Sequence, residues 1–391
     1  MRRPIATFLS AFLVGALVQF ACAAEPKSDA EGAEKSRRVD ELVRKYLRDD
    51  GPGMAVLVVQ DGHVVHKKGY GLADLRKHVP ITPETTFELA SVSKQFTAMA
   101  IMILHDRGKL SFDDDVRKYL PVIPEYNPKR PIRLTDLLHH TSGLRDYMEL
   151  KDIPSHDPDF PTNAEVMREL VKHKLKFPTG SKYEYSNSNY VLLAQVIAHV
   201  SHKSYGTFLH EAIFGPLGMK DTVAYEDRKV KRIHPAVGYE LKPKLATFKE
   251  NEPPAEVRAK TAPANFRVAD SECIVVGDGS IWTNLNDMVQ WDAALREGKS
   301  VKPETLKRAW TNLQLDNGKK PEEDYGFGWG LVFNRQGKLI EVTHDGAWIG
   351  FSTSIRRYLD DRLTIVVLCN VYGFDIGAIE VAIHNIYCGK R

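Results

Sequence analysis

The sequence predicts an α+β fold: an antiparallel sheet made from strands at both ends of the chain, flanked by helices, with a mostly helical lobe inserted between them. Three observations lead there. Residues 54–59 and 63–68 are β-rich runs separated by Asp61-Gly62, a two-residue hairpin signal. Four further β-rich or alternating runs, 328–333, 339–343, 352–358 and 363–369, close the chain. Between the two groups, roughly over residues 110–300, helical spacing dominates. Strands at the two ends join most simply into one sheet, and the cleft between sheet and lobe is the expected place for a ligand.

Arg2 and Arg3 precede an apolar run, residues 5–21, that ends in the small residues Ala21-Cys22-Ala23-Ala24. This is the pattern of a secretory signal peptide, residues 1–24, cleaved after Ala23 or Ala24. An uncleaved membrane anchor ranks second, because the run is short for a span. Lipidation at Cys22 ranks third, behind a poorly matching Gln19-Phe20-Ala21. The expected location is periplasmic or secreted, with membrane contact only through an uncleaved signal or a lipidated Cys22. Residues 25–38 are polar and read as a flexible leader, which makes 39–391 the folded domain.

Residues 39–47 have helical apolar spacing. After the hairpin, residues 91–105 read as a buried helix with Phe96, Met99, Ala100, Ile103 and Leu104 on one side and Gly108 as its stop. Helices are expected over 135–140, 163–174, 188–202, 205–214 and 285–297. Residues 242–265, rich in Lys, Glu, Pro and Ala, read as a surface insertion. Asp360-Asp361 turns between the last two strands, and 378–387 is a closing helix. No repeat at solenoid spacing occurs.

Composition narrows the function. Of 391 residues, 43% are apolar and 27% charged, which excludes a wholly disordered chain, a collagen and a disulfide-dense miniprotein. With 54 basic against 51 acidic residues there is no basic excess, so no nucleic-acid partner is expected. Without Cys22, the cysteines Cys273, Cys369 and Cys388 allow at most one disulfide.

The chemistry-bearing residues form three short motifs. Ser-x-x-Lys occurs once, as Ser91-Val92-Ser93-Lys94, where the strand region gives way to a helix. At i and i+3 the hydroxyl and the amine share a face, and the helix N-terminus favours negative charge at Ser91. A partly buried lysine near other cations loses proton affinity and can take the serine proton. Ser93, two positions on, turns away from Ser91. Tyr-x-Asn also occurs once, as Tyr185-Ser186-Asn187, in a loop before a helix. A tyrosinate-like oxygen there could pass a proton to a leaving group, and the Asn amide could bind a substrate carbonyl. His344-Asp345-Gly346 leads from one strand into the next: His344 would offer a donor, or a positive charge at low pH, and Gly346 would let a substrate backbone approach. Each motif alone has a structural explanation: a Ser cap with a solvated lysine, a packing tyrosine with an Asn cap, a stray basic-x-Gly such as Lys67-Lys68-Gly69. Ser142, in a Thr-Ser-Gly turn, reads as a helix-ending turn. No Gly-x-Ser-x-Gly elbow, zinc-protease helix or phosphate-binding loop is present.

Taken together and in this order, the motifs make the chain resemble the serine β-lactamase and penicillin-binding-protein superfamily, in particular its class C branch with the related esterases and D-aminopeptidases. The likeness runs from about residue 52 to the C-terminal helix and includes Gly69-Tyr70-Gly71-Leu72-Ala73, the segment 134–144, Pro216-Leu217-Gly218-Met219, Gly277-Asp278-Gly279 and Tyr325-Gly326-Phe327-Gly328-Trp329-Gly330. The resemblance implies a class C β-lactamase-like fold and these roles: Ser91 is acylated, Lys94 activates it, Tyr185 shuttles the proton, and Asn187 orients the substrate. The backbone N–H groups of Ser91 and Ala347 would form the oxyanion hole. It implies no metal and no organic cofactor.

One departure from the family pattern shapes the expected substrate. Where many members carry Lys-Thr-Gly, this chain has His344-Asp345-Gly346. A lysine is a permanent cation for a substrate carboxylate, whereas histidine is mostly neutral near pH 7 and Asp345 adds negative charge. The leading expectation is an exported serine hydrolase acting on a small-molecule ester or on a peptide or amide. The alternatives are a β-lactamase or D-alanyl carboxypeptidase acting on cell-wall peptides, and a non-catalytic binding protein. Side chains in the loops 148–161 and 242–265 would set specificity.

Overall fold

The computed structural model describes residues 27–153, 160–245, 247–269 and 272–389. The expected signal segment with Cys22, and part of the 148–161 loop, lie outside the described residues. Six strands form the central sheet: β1 (Met54–Gln60), β2 (His63–Tyr70), β3 (Gly330–Phe333), β4 (Leu339–Trp348), β5 (Phe351–Tyr358) and β6 (Leu363–Cys369). Their order is β3-β4-β5-β6-β1-β2, antiparallel throughout. The two ends of the chain meet where β1 pairs with β6, from Met54 opposite Cys369 to Gln60 opposite Leu363. The longer helices are α1 (Lys27–Tyr46), α2 (Lys94–Asp106), α3 (Asn187–Ser201), α4 (Leu285–Glu297) and α5 (Gly377–Cys388).

Both faces of the sheet are covered, which is why β1 and β6 read as continuous apolar runs. Met54, Val56, Val58, Ile365 and Val367 pack with Val39 and Val43 of α1 and Ile379 and Ile383 of α5. Ala55, Leu57, Val366 and Leu368 point the other way, into the core shared with Phe96 of α2, Val191 of α3 and Trp291 of α4. Among the described residues no helix is long and apolar enough to cross a membrane.

Three local expectations need correction, and the surface insertion gains detail. The flexible leader expected over 25–38 is helical from Lys27 onward. Its polar residues pair along the helix, Lys35 with Glu31 at 2.9 Å and Arg37 with Glu34 and Glu41, and Ser36 and Asp40 bond His66 and Lys68 of β2. Such i,i+3 and i,i+4 pairs, with a buried C-terminal half, hold a helix that composition alone does not announce. The 242–265 insertion is folded onto the body: the helix Pro254–Lys260 buries Val257 against α1, and Arg258 donates to the Arg44 carbonyl at 2.7 Å. The helix expected over 205–214 ends at Leu209 and continues as a π-helical turn, His210–Phe214. Finally, β4 runs on through His344, Asp345 and Gly346 to Trp348, with Gly346 opposite Thr353, so the third motif lies inside a strand.

Candidate active site

The nucleophile's position follows from its flanks. Phe87 and Glu88 pair with Thr283 and Trp282, and Leu89 N–H donates to the Ile281 carbonyl at 2.8 Å. Ala90 then adopts φ +48°, a left-handed conformation costly for a residue with a Cβ, and the chain turns into the 3₁₀ turn Ala90–Ser93 that opens α2. This corner is pressed against β4. A Cβ on Gly346 would stand 2.2 Å from Leu89 O and 2.5 Å from Thr353 Oγ1. Gly346 therefore makes room for the nucleophile's own segment, not for the substrate backbone expected from sequence. Thr353 Oγ1 donates to Leu89 O at 2.7 Å and ties the corner to β5.

Lys94, the first residue of α2, is fully buried. Its Nζ lies 3.0 Å from Ser91 Oγ, 2.8 Å from Asn187 Oδ1 and 2.9 Å from Asp278 O. The Ser91–Lys94 and Tyr185–Asn187 motifs, 93 residues apart at Lys94 and Asn187, thus meet at one nitrogen. Burial lowers the Lys94 pKa to about 8, against the opposing pull of the Asp278 and Asp146 carboxylates. The neutral amine keeps two N–H donors for Asn187 and Asp278, and its lone pair then faces the Ser91 hydroxyl. That is the geometry of a general base.

Asn187 is held by Asp146, whose carboxylate accepts from Asn187 N at 2.8 Å and from Nδ2 at 2.9 Å. With its carbonyl on Lys94, the Asn187 amide is chiefly engaged inside the protein. Its remaining contact, Nδ2 to Met148 Sδ at 3.6 Å, is weak enough for a substrate carbonyl to replace. The Tyr185 ring lies under Lys94 Nζ, 5.0 Å from its centroid, and packs at a tilt on His140 at 4.3 Å. Burial raises the Tyr185 pKa well above the usual tyrosine value. The tyrosinate-like oxygen expected from sequence is therefore a neutral phenol at neutral pH, a proton donor.

His344 is also corrected. Its Nδ1 donates to the Asp345 carbonyl at 2.7 Å, so Nε2 is the acceptor for the Tyr325 hydroxyl at 2.9 Å. Burial, with Lys94 nearby, lowers its pKa to about 4. The ring is neutral, both nitrogens are used within the protein, and His344 is not among the residues lining the cavity. It supports Tyr325 and packs 6.3 Å from the Tyr185 ring instead of presenting a charge to a ligand.

Ser91 opens into a cavity of about 410 Å³ that is also lined by Tyr147, Asn187, Asp278, Ala347 and Trp348. Ser91 and Ala347 border the same space, as an oxyanion hole between them requires. Ser93 is buried and accepts from Ile281 N at 3.2 Å, and Ser142 donates to Asn189 Oδ1 at 2.5 Å; both are structural. Lys67 and Lys68 of the rival basic-x-Gly run bond Asn286 and Asp40 and do not line the cavity.

Sequence reasoning assigned no role to Asp146, Tyr147 or Asp278. Tyr147 donates to Asp278 Oδ2 at 3.0 Å, and burial raises the Asp278 pKa to about 6. The Gly277-Asp278-Gly279 run was the visible signal: an acid between two glycines, with Gly277 at φ +107° and no room for a Cβ against Tyr190 O.

Comparison with known proteins identifies the family. The beta-lactamase family model matches residues 39–380. Penicillin-binding protein 4* of Bacillus subtilis (strain 168) is 32% identical over 81% of this chain and 67% of its own length. A D-aminopeptidase of Gluconobacter oxydans (strain 621H) is 27% identical over 88% of this chain and 60% of its own length. The chain thus spans about two thirds of the length of these curated relatives. The octameric penicillin-binding protein homologue from Pyrococcus abyssi superposes with a TM-score of 0.74 at 25% identity, covering 92% of this chain and 78% of that one. The chain belongs to the beta-lactamase family and is a serine hydrolase of that family.

Proposed function

We propose that the protein hydrolyses amide or ester substrates outside the cytoplasm through an acyl-enzyme on Ser91. The observation that carries this reading is Lys94 Nζ held between Ser91 Oγ, Asn187 Oδ1 and Asp278 O with its pKa lowered to about 8. At pH 7 about one tenth of such an amine is neutral. That fraction takes the Ser91 proton while Oγ bonds to the substrate carbonyl carbon, and the N–H groups of Ser91 and Ala347 receive the oxyanion. Collapse breaks the bond to the leaving group, which takes a proton from the Tyr185 phenol, resupplied from Lys94. Water then attacks the acyl carbon and gives its proton to the same Lys94–Tyr185 pair, which returns it to Ser91 Oγ as the acyl C–O bond breaks. The export pattern in residues 1–24 supports an extracytoplasmic substrate.

Among substrates, peptides and amides lead, because a D-aminopeptidase and a penicillin-binding protein are both relatives. The neutral, inward-facing His344 speaks against strong recognition of an anionic antibiotic. Cell-wall peptides are the second reading, favoured by the penicillin-binding-protein relative. The test is turnover by the mature protein beside Ser91→Ala on D-alanyl-p-nitroanilide, p-nitrophenyl acetate and butyrate, and nitrocefin, with a fluorophosphonate probe. Ser91-dependent turnover of the anilide or the esters supports the proposal. Efficient nitrocefin hydrolysis replaces it with the lactamase reading, and no labelling of Ser91 defeats both.

A further inference from the structure

On the face of the sheet away from the catalytic cleft, three side chains of different chemistry converge. His384 and Cys388 lie at i and i+4 on α5, on one side of the helix and one turn apart. Asp361, from the turn between β5 and β6, reaches the same place: its Oδ2 is 2.7 Å from His384 Nε2. The carboxylate oxygen, the imidazole nitrogen and the Cys388 sulfur all lie within 4.8 Å of one another. We infer that Asp361, His384 and Cys388 form a binding site for a divalent zinc-like cation, which ties the C-terminal helix to the β5–β6 hairpin.

The arrangement favours a cation over the other uses of these groups. In a Cys-His-Asp relay the thiol and the carboxylate stand on opposite sides of the imidazole. Here the sulfur and the carboxylate oxygen stand within 4.8 Å of each other as well as of the imidazole nitrogen. One sulfur, one nitrogen and one oxygen form a ligand set suited to zinc, whose tetrahedral ligands stand about 3.3–3.8 Å apart. Reaching that geometry requires the 2.7 Å His384–Asp361 hydrogen bond to open by roughly 1 Å and any pair now as far apart as 4.8 Å to close by about as much. Cys388 is exposed and Asp361 partly so, which provides an entry path and leaves the fourth position to water. Cys388 is the last residue of α5, where the helix dipole presents its negative end to a cation. His384 is buried and packs on Tyr358 at 4.3 Å, so the central ligand is already oriented. The other two described cysteines, Cys273 and Cys369, are buried elsewhere and do not compete.

The test uses the mature protein after dialysis against a chelator, titrated with zinc chloride alone by calorimetry and with cobalt chloride by absorption. The expected result is one ion per chain, a thiolate-to-cobalt charge-transfer band, and a higher melting temperature with zinc. Cys388→Ser removes the band and weakens zinc at least tenfold, while Ser91-dependent hydrolysis and the melting temperature without metal stay at the wild-type level. Asp361→Asn, which keeps a partner for His384, also weakens zinc about tenfold and retains the band. Wild-type and Cys388→Ser titrations that superimpose, or a bound cobalt without a thiolate band, overturn the inference.

Discussion

Gly346→Ala perturbs the site without touching a chemical group. The added Cβ would stand 2.2 Å from Leu89 O, about 1 Å inside ordinary contact, and 2.5 Å from Thr353 Oγ1. Neither neighbour yields easily. Leu89 is fixed by its N–H bond to Ile281 O, and its carbonyl accepts from Thr353 Oγ1. Ala90 beside it is already at φ +48°. The strain has to be relieved by separating β4 from the Leu89–Ser91 corner, which shifts Ser91 relative to both Lys94 and Ala347. Overpacking of this kind costs about 1–3 kcal/mol of stability. A displacement near 1 Å at a nucleophile costs about 100-fold in rate, equivalent to about 2.7 kcal/mol of transition-state stabilisation. The assay is the second-order rate of fluorophosphonate labelling of Ser91, measured with the thermal midpoint of the same sample. A variant that labels within twofold of the wild type and melts at the same temperature would refute the claim that Gly346 sets the position of the nucleophile.

Other expectations concern the charges around Ser91. In the proposed mechanism the free amine of Lys94 is the active form, so kcat/KM should rise with pH through about 8 and fall about tenfold per unit well below it. Asp278→Asn removes a carboxylate that raises the Lys94 pKa, so the acid limb should move to lower pH; an unmoved limb would separate Asp278 from the base. The same variant has a stability signature. Burial raises the folded pKa of Asp278 from 3.8 to about 6, so its ionisation destabilises the fold as pH rises between those values. The Asn variant should gain melting temperature relative to wild type above pH 6 and lose that advantage near pH 4. Lys94→Met should lower Ser91 labelling by about 10²–10⁴-fold and also lower the melting temperature, since it leaves the buried Asp278 carboxyl without its cation and strips the amine from Asn187 Oδ1 and Asp278 O; labelling at the wild-type rate would contradict the base role. Arg130→Ala should cost about 3 kcal/mol in a denaturant titration, because it strips both 2.8 Å bonds from Asp136, a carboxylate with no exposed surface.

The sequence by itself determined the frame of this protein. Runs such as residues 54–59 and 363–369 carry enough apolar, β-branched side chains to specify strands, and α4 and β6 begin and end at the expected residues. Ser91 and Lys94 were legible because their relation is local: three positions on one helical path put hydroxyl and amine together whatever else folds around them. The relations that decide the chemistry are not local. Asn187 faces Lys94 only because Asp146, 41 residues away, holds its amide, and Asp278 reaches the amine from 184 residues downstream. His344 looked like a ligand-facing donor because its neighbours in sequence cannot reveal that Tyr325 and the Asp345 carbonyl take both ring nitrogens. The lowered proton affinity of Lys94 and a neutral His344 were expected from sequence, but the neutral phenol of Tyr185 and the raised carboxyl of Asp278 were not. Each is set mainly by burial, and burial exists only once sheet and lobe have closed on one another.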